Sequence, residues 1–248
     1  TDGWLVNQTR MWLASQWTVR DEKGWIFGQE RMYQQLLDGS RAANLLGWQW
    51  TVGAGTGKPY GFSQWQVNKR APGLCAQCSL VRNCPVAEFP EETTLPHALR
   101  NERLELDLDL AATRGPIEPE FNRAPEYVLL TIDSLGDADQ AMIAHPELPV
   151  VFVFNEPALR KLQLSSQRIA FYLQTLQDLS ARRDVRVYLG DPYEFAKDHP
   201  VATTFAPVPS FKKFKNLAEV YPYPWLRMPH GGSLKSFSSW RKSFPQNQ

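Results

Sequence analysis

Asp38-Gly39-Ser40-Arg41-Ala42-Ala43-Asn44-Leu45-Leu46-Gly47-Trp48-Gln49-Trp50 is the stretch on which the reading of this 248-residue chain turns. Two tryptophans bracket a glutamine just ahead of the glycine-rich turn Gly53–Gly57. Asn7-Gln8-Thr9-Arg10-Met11-Trp12 lies upstream, and Trp4, Trp12, Trp25, Trp48 and Trp50 all fall before residue 51. A buried indole needs a partner for its N–H, so a core alone seldom gathers so many. A site that holds a flat conjugated ring has use for them.

Working outward, Asn7, Arg10, Met11 and Ala14 fall on one helical face by their three- and four-residue spacing. Trp25, Met32, Leu36 and Leu37 predict a second helix ending at Asp38-Gly39, and Ala42–Trp50 a third. The spacing allows Arg10 and Asp38 to pair between helices, either as a structural ion pair or as a polar floor that orients a ring edge. Residues 51–95 read as irregular, and residues 88–125 as an acidic linker broken by Gly115-Pro116 and Pro119.

The texture changes at Tyr127. Val128–Ile132, Val150–Phe154 and Arg186–Leu189 are short apolar runs suited to buried parallel strands. Leu164–Leu179 predicts an amphipathic helix with Ile169, Leu173, Leu176 and Leu179 on one face and Ser165 as its cap. Glu194–Asp198 predicts a short helix. With about three strands, this is a small parallel α/β domain. The expected organisation is therefore a helical region over 1–87, a linker over 88–125, an α/β domain over 126–210 and an irregular basic, aromatic tail over 211–248.

Overall composition is that of an ordinary globular chain, 43% hydrophobic and 21% charged, with a net charge of +1 that by itself predicts neither nucleic-acid nor membrane binding. The segments differ: +3 over 1–74, −9 over 75–150 and +7 over 151–248. In the tail, lysines and arginines alternate with aromatics, an arrangement that either follows a nucleic-acid backbone or packs on a neighbour. No apolar run approaches the roughly 20 residues of a membrane span and no leader pattern is present, which leads to the expectation of a cytoplasmic protein. Asp191 and His199 make no visible catalytic pair, and no hydrolytic motif is found.

Cys75-x2-Cys78-x5-Cys84-Pro85 gathers all three cysteines in one loop. Three thiols so close suit a metal better than disulfides. An iron–sulfur cluster, a zinc site and packed free thiols all remain open. A closed site needs a fourth ligand, either His97 or a residue outside this chain.

The string Asn7-x-x-Arg10-Met11, Trp25, Asp38-Gly39-x-x-Ala42-Ala43-Asn44-x-x-Gly47-Trp48-Gln49-Trp50 resembles the flavin-binding helical domain of the cryptochrome/photolyase superfamily. The resemblance implies a partial all-helical FAD-binding domain followed by an antenna-like α/β domain, in the order found in a bacterial branch. It implies that Asn7, Arg10, Asp38, Ser40 and Asn44 contact FAD, with Asn44 facing the reactive central nitrogen. Trp48 is then the first electron donor to the light-excited flavin and Trp25 the next. Met11 and Trp50 border the place where photolyases receive a flipped-out pyrimidine dimer of damaged DNA. Cys75, Cys78 and Cys84 are then the candidate ligands of a [4Fe–4S] cluster.

The match has departures. Ser40 stands where a second aspartate is usual, and Pro59-Tyr60-Gly61-Phe62-Ser63-Gln64-Trp65 lacks the usual arginine after the aromatic pair. The family's phosphate-gripping loop precedes this region and is not in this chain. A preceding helical half, of the same protein or another chain, is therefore expected to complete the FAD site. The expected function is blue-light-driven electron transfer from tryptophan to FAD, with DNA photorepair. The alternatives are a light or redox sensor that has lost repair and a structural subunit without flavin.

Overall fold

The computed structural model describes residues 3–54, 57–90, 105–121 and 123–244. Gly55 and Thr56 of the glycine-rich turn, and residues 91–104 and 122 of the acidic linker, His97 among them, lie outside them. The chain divides into two compact units: Thr1–Arg100 with Leu164–Arg168, and Asn101–Gln163 with Ile169–Gln248.

The first unit is built on three helices, α1 (Asn7–Ser15), α2 (Trp25–Gln35) and α3 (Arg41–Thr51), followed by α4 (Gln64–Arg70). α1 runs into a five-residue π-helical turn, Gln16–Arg20. Ser40 caps α3, its hydroxyl accepting the Ala43 N–H at 3.4 Å. The core is small: Ala14, Met32, Leu36 and Trp48 are buried, with Leu5, Trp17 and Trp25 packed on them. α2 stops at Gln35, three residues short of the Asp38-Gly39 predicted from sequence, because Leu37 N–H leaves the ladder to donate to the Gly3 carbonyl at 2.8 Å. That early stop turns Asp38 back towards Arg10.

The residues after α3 are pinned rather than loose. Tyr60 N–H donates to the Thr51 carbonyl, and the Ser15 hydroxyl donates to the Tyr60 carbonyl at 2.5 Å. The Arg20 guanidinium donates to the carbonyls of Phe62 (2.7 Å), Glu88 (2.5 Å) and Pro85 (3.3 Å). One long cation thus holds the cysteine-bearing loop against the helices, at 2–3 hydrogen bonds of the stronger, charge-assisted kind.

The second unit holds a five-stranded sheet, all parallel, in the order β3-β2-β1-β4-β5. Its strands are β1 (Tyr127–Leu130), β2 (Val150–Asn155), β3 (Val185–Gly190), β4 (Val201–Thr204) and β5 (Ala218–Tyr221). Alternation in β1 and β2 sends Leu129, Val151 and Val153 into one core and Val128, Leu130, Val150 and Phe152 into the other. α9 (Pro192–Asp198) and the 3-10 turn Pro209–Phe214 cover the first face; α6 (Gln140–Ala144) and α8 (Ser166–Ser180) cover the second. α5 (Leu110–Arg114), α7 (Glu156–Leu162) and α10 (Phe237–Lys242) complete the elements.

Three expectations change here. Arg186–Leu189, expected as a buried strand, does form part of β3 but is exposed at all four residues, because β3 is an edge strand. The sheet has five strands rather than three, because β4 and β5 are four residues each and β5 carries the buried Glu219. The buried stripe of α8 is Tyr172, Leu176 and Leu179, whereas Leu173 is exposed. Ser165 does cap α8, accepting the Arg168 N–H at 3.2 Å. The tail is ordered as well: Trp240 stacks on His230 at 4.9 Å and packs edge-on against Phe244, so these aromatics meet one another rather than standing free.

Glu219 is held by the Tyr221 hydroxyl, which donates to it at 2.6 Å, and by His145 Nε2 at 3.1 Å, so the edge strand β5 is tied to the end of α6. Asp139, 3% exposed, caps α6 by accepting the Met142 N–H at 2.8 Å and the Ser134 hydroxyl at 2.5 Å. Burial raises its carboxyl above the ordinary value of 3.8, outweighing these hydrogen bonds. The folded state therefore holds the proton more tightly than the unfolded chain. The resulting stability is complete below pH 3.8 and is lost as the pH rises through the folded value. Asp139→Asn keeps the cap acceptor and removes the titration. Urea midpoints measured from pH 4 to 7 are expected to fall less with rising pH in Asp139→Asn than in the unmodified chain.

In the first unit, a Cβ on Gly28 would lie 2.2 Å from Trp48 Cη2 and 2.3 Å from Cζ3. Glycine in a helix interior ordinarily costs about 0.5–1 kcal/mol against alanine, but here the ring occupies the space. Gly28→Ala is expected to destabilise the helical unit by about 1–3 kcal/mol, the usual cost of overpacking, as read by chemical denaturation followed through tryptophan fluorescence.

Candidate functional site

α1, α2 and α3 enclose a hollow of about 120 Å³ lined by Asn7, Arg10, Met11, Ala14, Met32, Leu36, Asp38, Gly39, Ser40, Ala43, Asn44, Gly47 and Trp48. All five sequence-predicted cofactor contacts, Asn7, Arg10, Asp38, Ser40 and Asn44, are among them. Its lining is apolar at Met11, Ala14, Met32, Leu36, Ala43 and Trp48 and polar at Asn7, Arg10, Asp38, Ser40 and Asn44. Arg10 donates twice to Asp38, at 2.9 and 2.7 Å, and its Nε–H donates to the Leu5 carbonyl at 2.7 Å. The pair is therefore fixed at three points. Asn44 donates from Nδ2 to the Gln29 carbonyl at 2.7 Å and to Gln29 Oε1 at 3.3 Å, which anchors the amide to α2. Gln29 is itself 7% exposed, and sequence reading passed it over.

Trp48 is 3% exposed and points its N–H at Met32 Sδ, 3.4 Å away. Trp25 packs on the same cluster, so both predicted redox tryptophans belong to one contact group. Trp17, absent from the sequence-based set, joins it too.

A second, larger cavity of about 440 Å³ is lined by Asn7, Gln8, Met11, Gly47, Trp50, Tyr60, Gln66 and Arg70. Met11 and Trp50, the predicted substrate neighbours, are both in it. Trp50 leans on Tyr60, with ring centroids 5.0 Å apart, and Tyr60 accepts a hydrogen bond from Gln8 Nε2 at 3.0 Å. Arg70 and Gln66 add a cation and an amide from α4. Asn7, Met11 and Gly47 line both cavities, so the hollow and the larger cavity adjoin.

The lining fits one face of a flat heteroaromatic group: an apolar floor, with an ion pair and anchored amides at the edge. At 120 Å³ the hollow is smaller than the roughly 300 Å³ at which small-molecule sites begin, so it supplies a wall rather than a whole container. Among the described residues no group of three or more His, Cys, Asp or Glu is placed to hold a metal ion. Cys75, Cys78 and Cys84 are free thiols, half-buried, exposed and half-buried respectively, and they take no part in the function proposed below. Among the described residues no helix is long and apolar enough to cross a membrane.

Three curated proteins share sequence with part of this chain. A stretch of 59 residues is 41% identical to the deoxyribodipyrimidine photo-lyase of Vibrio cholerae, covering 23% of this chain and 13% of that protein. Stretches of 55 residues are 44% identical to the Salmonella typhimurium deoxyribodipyrimidine photo-lyase (22% of this chain, 11% of that protein) and 40% identical to the Streptomyces griseus one (22% and 12%). The similarity is thus to photolyases and spans a small part of each. No protein-family model matches the chain, and no solved structure matches it.

Gly47 lies in the middle of α3, where alanine is normally better by about 1 kcal/mol. A Cβ there would meet only Met11 Sδ, at an ordinary 3.8 Å. Gly47→Ala is therefore expected to raise stability by about 0.5–1 kcal/mol, opposite in sign to Gly28→Ala. Because it narrows both cavities, it is also expected to weaken any ligand held there, as a titration on the same sample reads.

Proposed function

We propose that this chain contributes one wall of a flavin site in a photolyase-like protein. In this reading FAD lies against the hollow and a pyrimidine dimer of damaged DNA enters the adjoining larger cavity. The observation that carries the reading is that the hollow is lined by the very residues the photolyase resemblance assigns to the flavin, in a chain whose curated relatives are photolyases.

Bound flavin would supply a light-excited one-electron acceptor. The chain's own residues do the rest. The Arg10–Asp38 pair, held by the Leu5 carbonyl, presents a fixed donor and a fixed acceptor to the ring's polar edge. A preorganised pair spends little on reorganising when the ring's charge changes. Asn44, anchored through its amide nitrogen to Gln29, sets a polar atom at the ring's middle. Trp48 gives up one electron from a water-free position, and Trp25 refills it from the same contact group. Met11 and Trp50 border the substrate side, and Arg70 brings positive charge to a cavity that would receive a phosphodiester. The larger cavity favours repair over the sensor reading, since a protein that only reports light has no need of it.

Three measurements test this, made on the protein with the remaining walls of the flavin site present. Added FAD is expected to bind with quenched flavin fluorescence. Asp38→Asn is expected to cost about 1 kcal/mol or less of stability, because Asp38 is 49% exposed in its side chain, while weakening FAD about tenfold or more. Trp48→Phe is expected to retain FAD and lose blue-light photoreduction. Unchanged photoreduction in Trp48→Phe would remove it from the electron path.

A further inference from the structure

Trp17 sits on the π-helical turn Gln16–Arg20 and packs on the cluster that holds Trp48 and Trp25. A single empty point beside the Gly28 backbone lies 2.2 Å from Trp48 Cη2 and 3.0 Å from Trp17 Nε1. The edges of the two indoles therefore approach the same point across a glycine, with no side chain of that residue between them. π-Helical turns are rare and gather at functional sites. This one supplies an oxidisable ring that neither the site reading nor the proposed function uses.

Two neighbours define the chemistry of Trp17. Its Nε1–H donates to the Gly24 carbonyl at 3.1 Å, which holds the proton on the ring. The Lys23 ammonium stands 5.0 Å from the ring centroid and 3.3 Å from Asp21 Oδ2. A cation over an indole face favours the neutral ring and so opposes removal of an electron from it. Trp17 is half-buried, whereas Trp48 is 3% exposed. It therefore offers the buried ring a route towards solvent.

We infer that Trp17 is a second exit, parallel to Trp25, for the positive charge left on Trp48 after electron transfer, and that Lys23 restrains it. The inference rests on the flavin reading above. One electron passes from the Trp17 indole to the Trp48 radical cation, restoring neutral Trp48 and leaving the radical cation on Trp17. No covalent bond changes in that step. The Nε1 proton stays on the ring, held in its hydrogen bond to the Gly24 carbonyl, and a thiolate in solution returns the missing electron and leaves as a thiyl radical. The net exchange is one electron from a thiolate to the light-excited flavin.

The test uses the full chain loaded with FAD, illuminated in blue light with and without a thiol. With thiol, Trp25→Phe is expected to keep at least a fifth of the photoreduction rate, and the Trp17→Phe/Trp25→Phe double variant to fall at least tenfold below Trp25→Phe. Lys23→Met, in the Trp25→Phe background, is expected to raise the rate severalfold. Without thiol and under dioxygen, peptide mass spectrometry is expected to find light-dependent oxidation at Trp17, increased in Trp25→Phe and absent in Trp48→Phe. That last control separates relayed charge from direct attack by photo-generated oxidants. If Trp25→Phe is as inactive as Trp48→Phe, or if Trp17 is oxidised equally in Trp48→Phe, the second exit is overturned while Trp48 keeps its role. If Trp48→Phe photoreduces normally, or no FAD binds, the flavin reading fails and takes the inference with it.

Discussion

The contact between the Trp48 ring and the Gly28 backbone governs the helical unit. An indole can lie this close to a helix only where there is no Cβ, and a Cβ on Gly28 would fall 2.2 Å from the ring. With α2 and α3 drawn together at that point, Asn44, one turn before Trp48, comes within reach of Gln29, one residue beyond Gly28. Met32, one turn further along α2, receives the Trp48 N–H. The floor and the anchored amide of the hollow thus follow from one close approach. α1 closes the floor through Ala14, 1% exposed, and carries Arg10 to the edge, where the early end of α2 brings Asp38 to meet it.

This arrangement spends stability on openness. The unit buries four residues in its core cluster, keeps a glycine in the middle of α3, and leaves Phe27, Leu46, Trp50 and Trp65 substantially exposed. The α/β unit is built differently: β1, β2 and β4 are largely buried while the edge strand β3 stands exposed at Val187, Tyr188 and Leu189, α6 and α9 are capped, and Glu219 and Thr203 are hydrogen-bonded inside. Each unit is intelligible by itself, the one as a wall of a site and the other as a doubly covered sheet.

Much of this was legible in the chain. The spacing of Asn7, Arg10, Met11 and Ala14 placed them on one face of α1, whereas Asp38, in the turn between α2 and α3, and Asn44 were singled out by the family resemblance rather than by periodicity. Val128–Leu130 and Val150–Phe154 read directly as buried parallel strands. What escaped reading has physical causes. Trp17 lies in a π-helical turn, which shifts the angular register so that a 3.6-residue period does not point it at Trp48. Val201–Thr204 and Ala218–Tyr221 are too short and too polar to announce strands, because neighbouring strands and a buried Glu–His–Tyr cluster stabilise them. Gln66 and Arg70 join the larger cavity only because the Tyr60 and Arg20 hydrogen bonds fold the segment after α3 back onto α1. The cysteine spacing suggested a metal that the placed thiols do not gather around.

The central claim is that the hollow between α1, α2 and α3 receives the flavin ring. A crystal structure of the full chain with FAD tests it most directly. The account predicts the isoalloxazine edge within hydrogen-bond distance of the Arg10–Asp38 pair and of Asn44, with Trp48 the nearest indole. A ring bound elsewhere, or a hollow closed by its own side chains with FAD present, would contradict it.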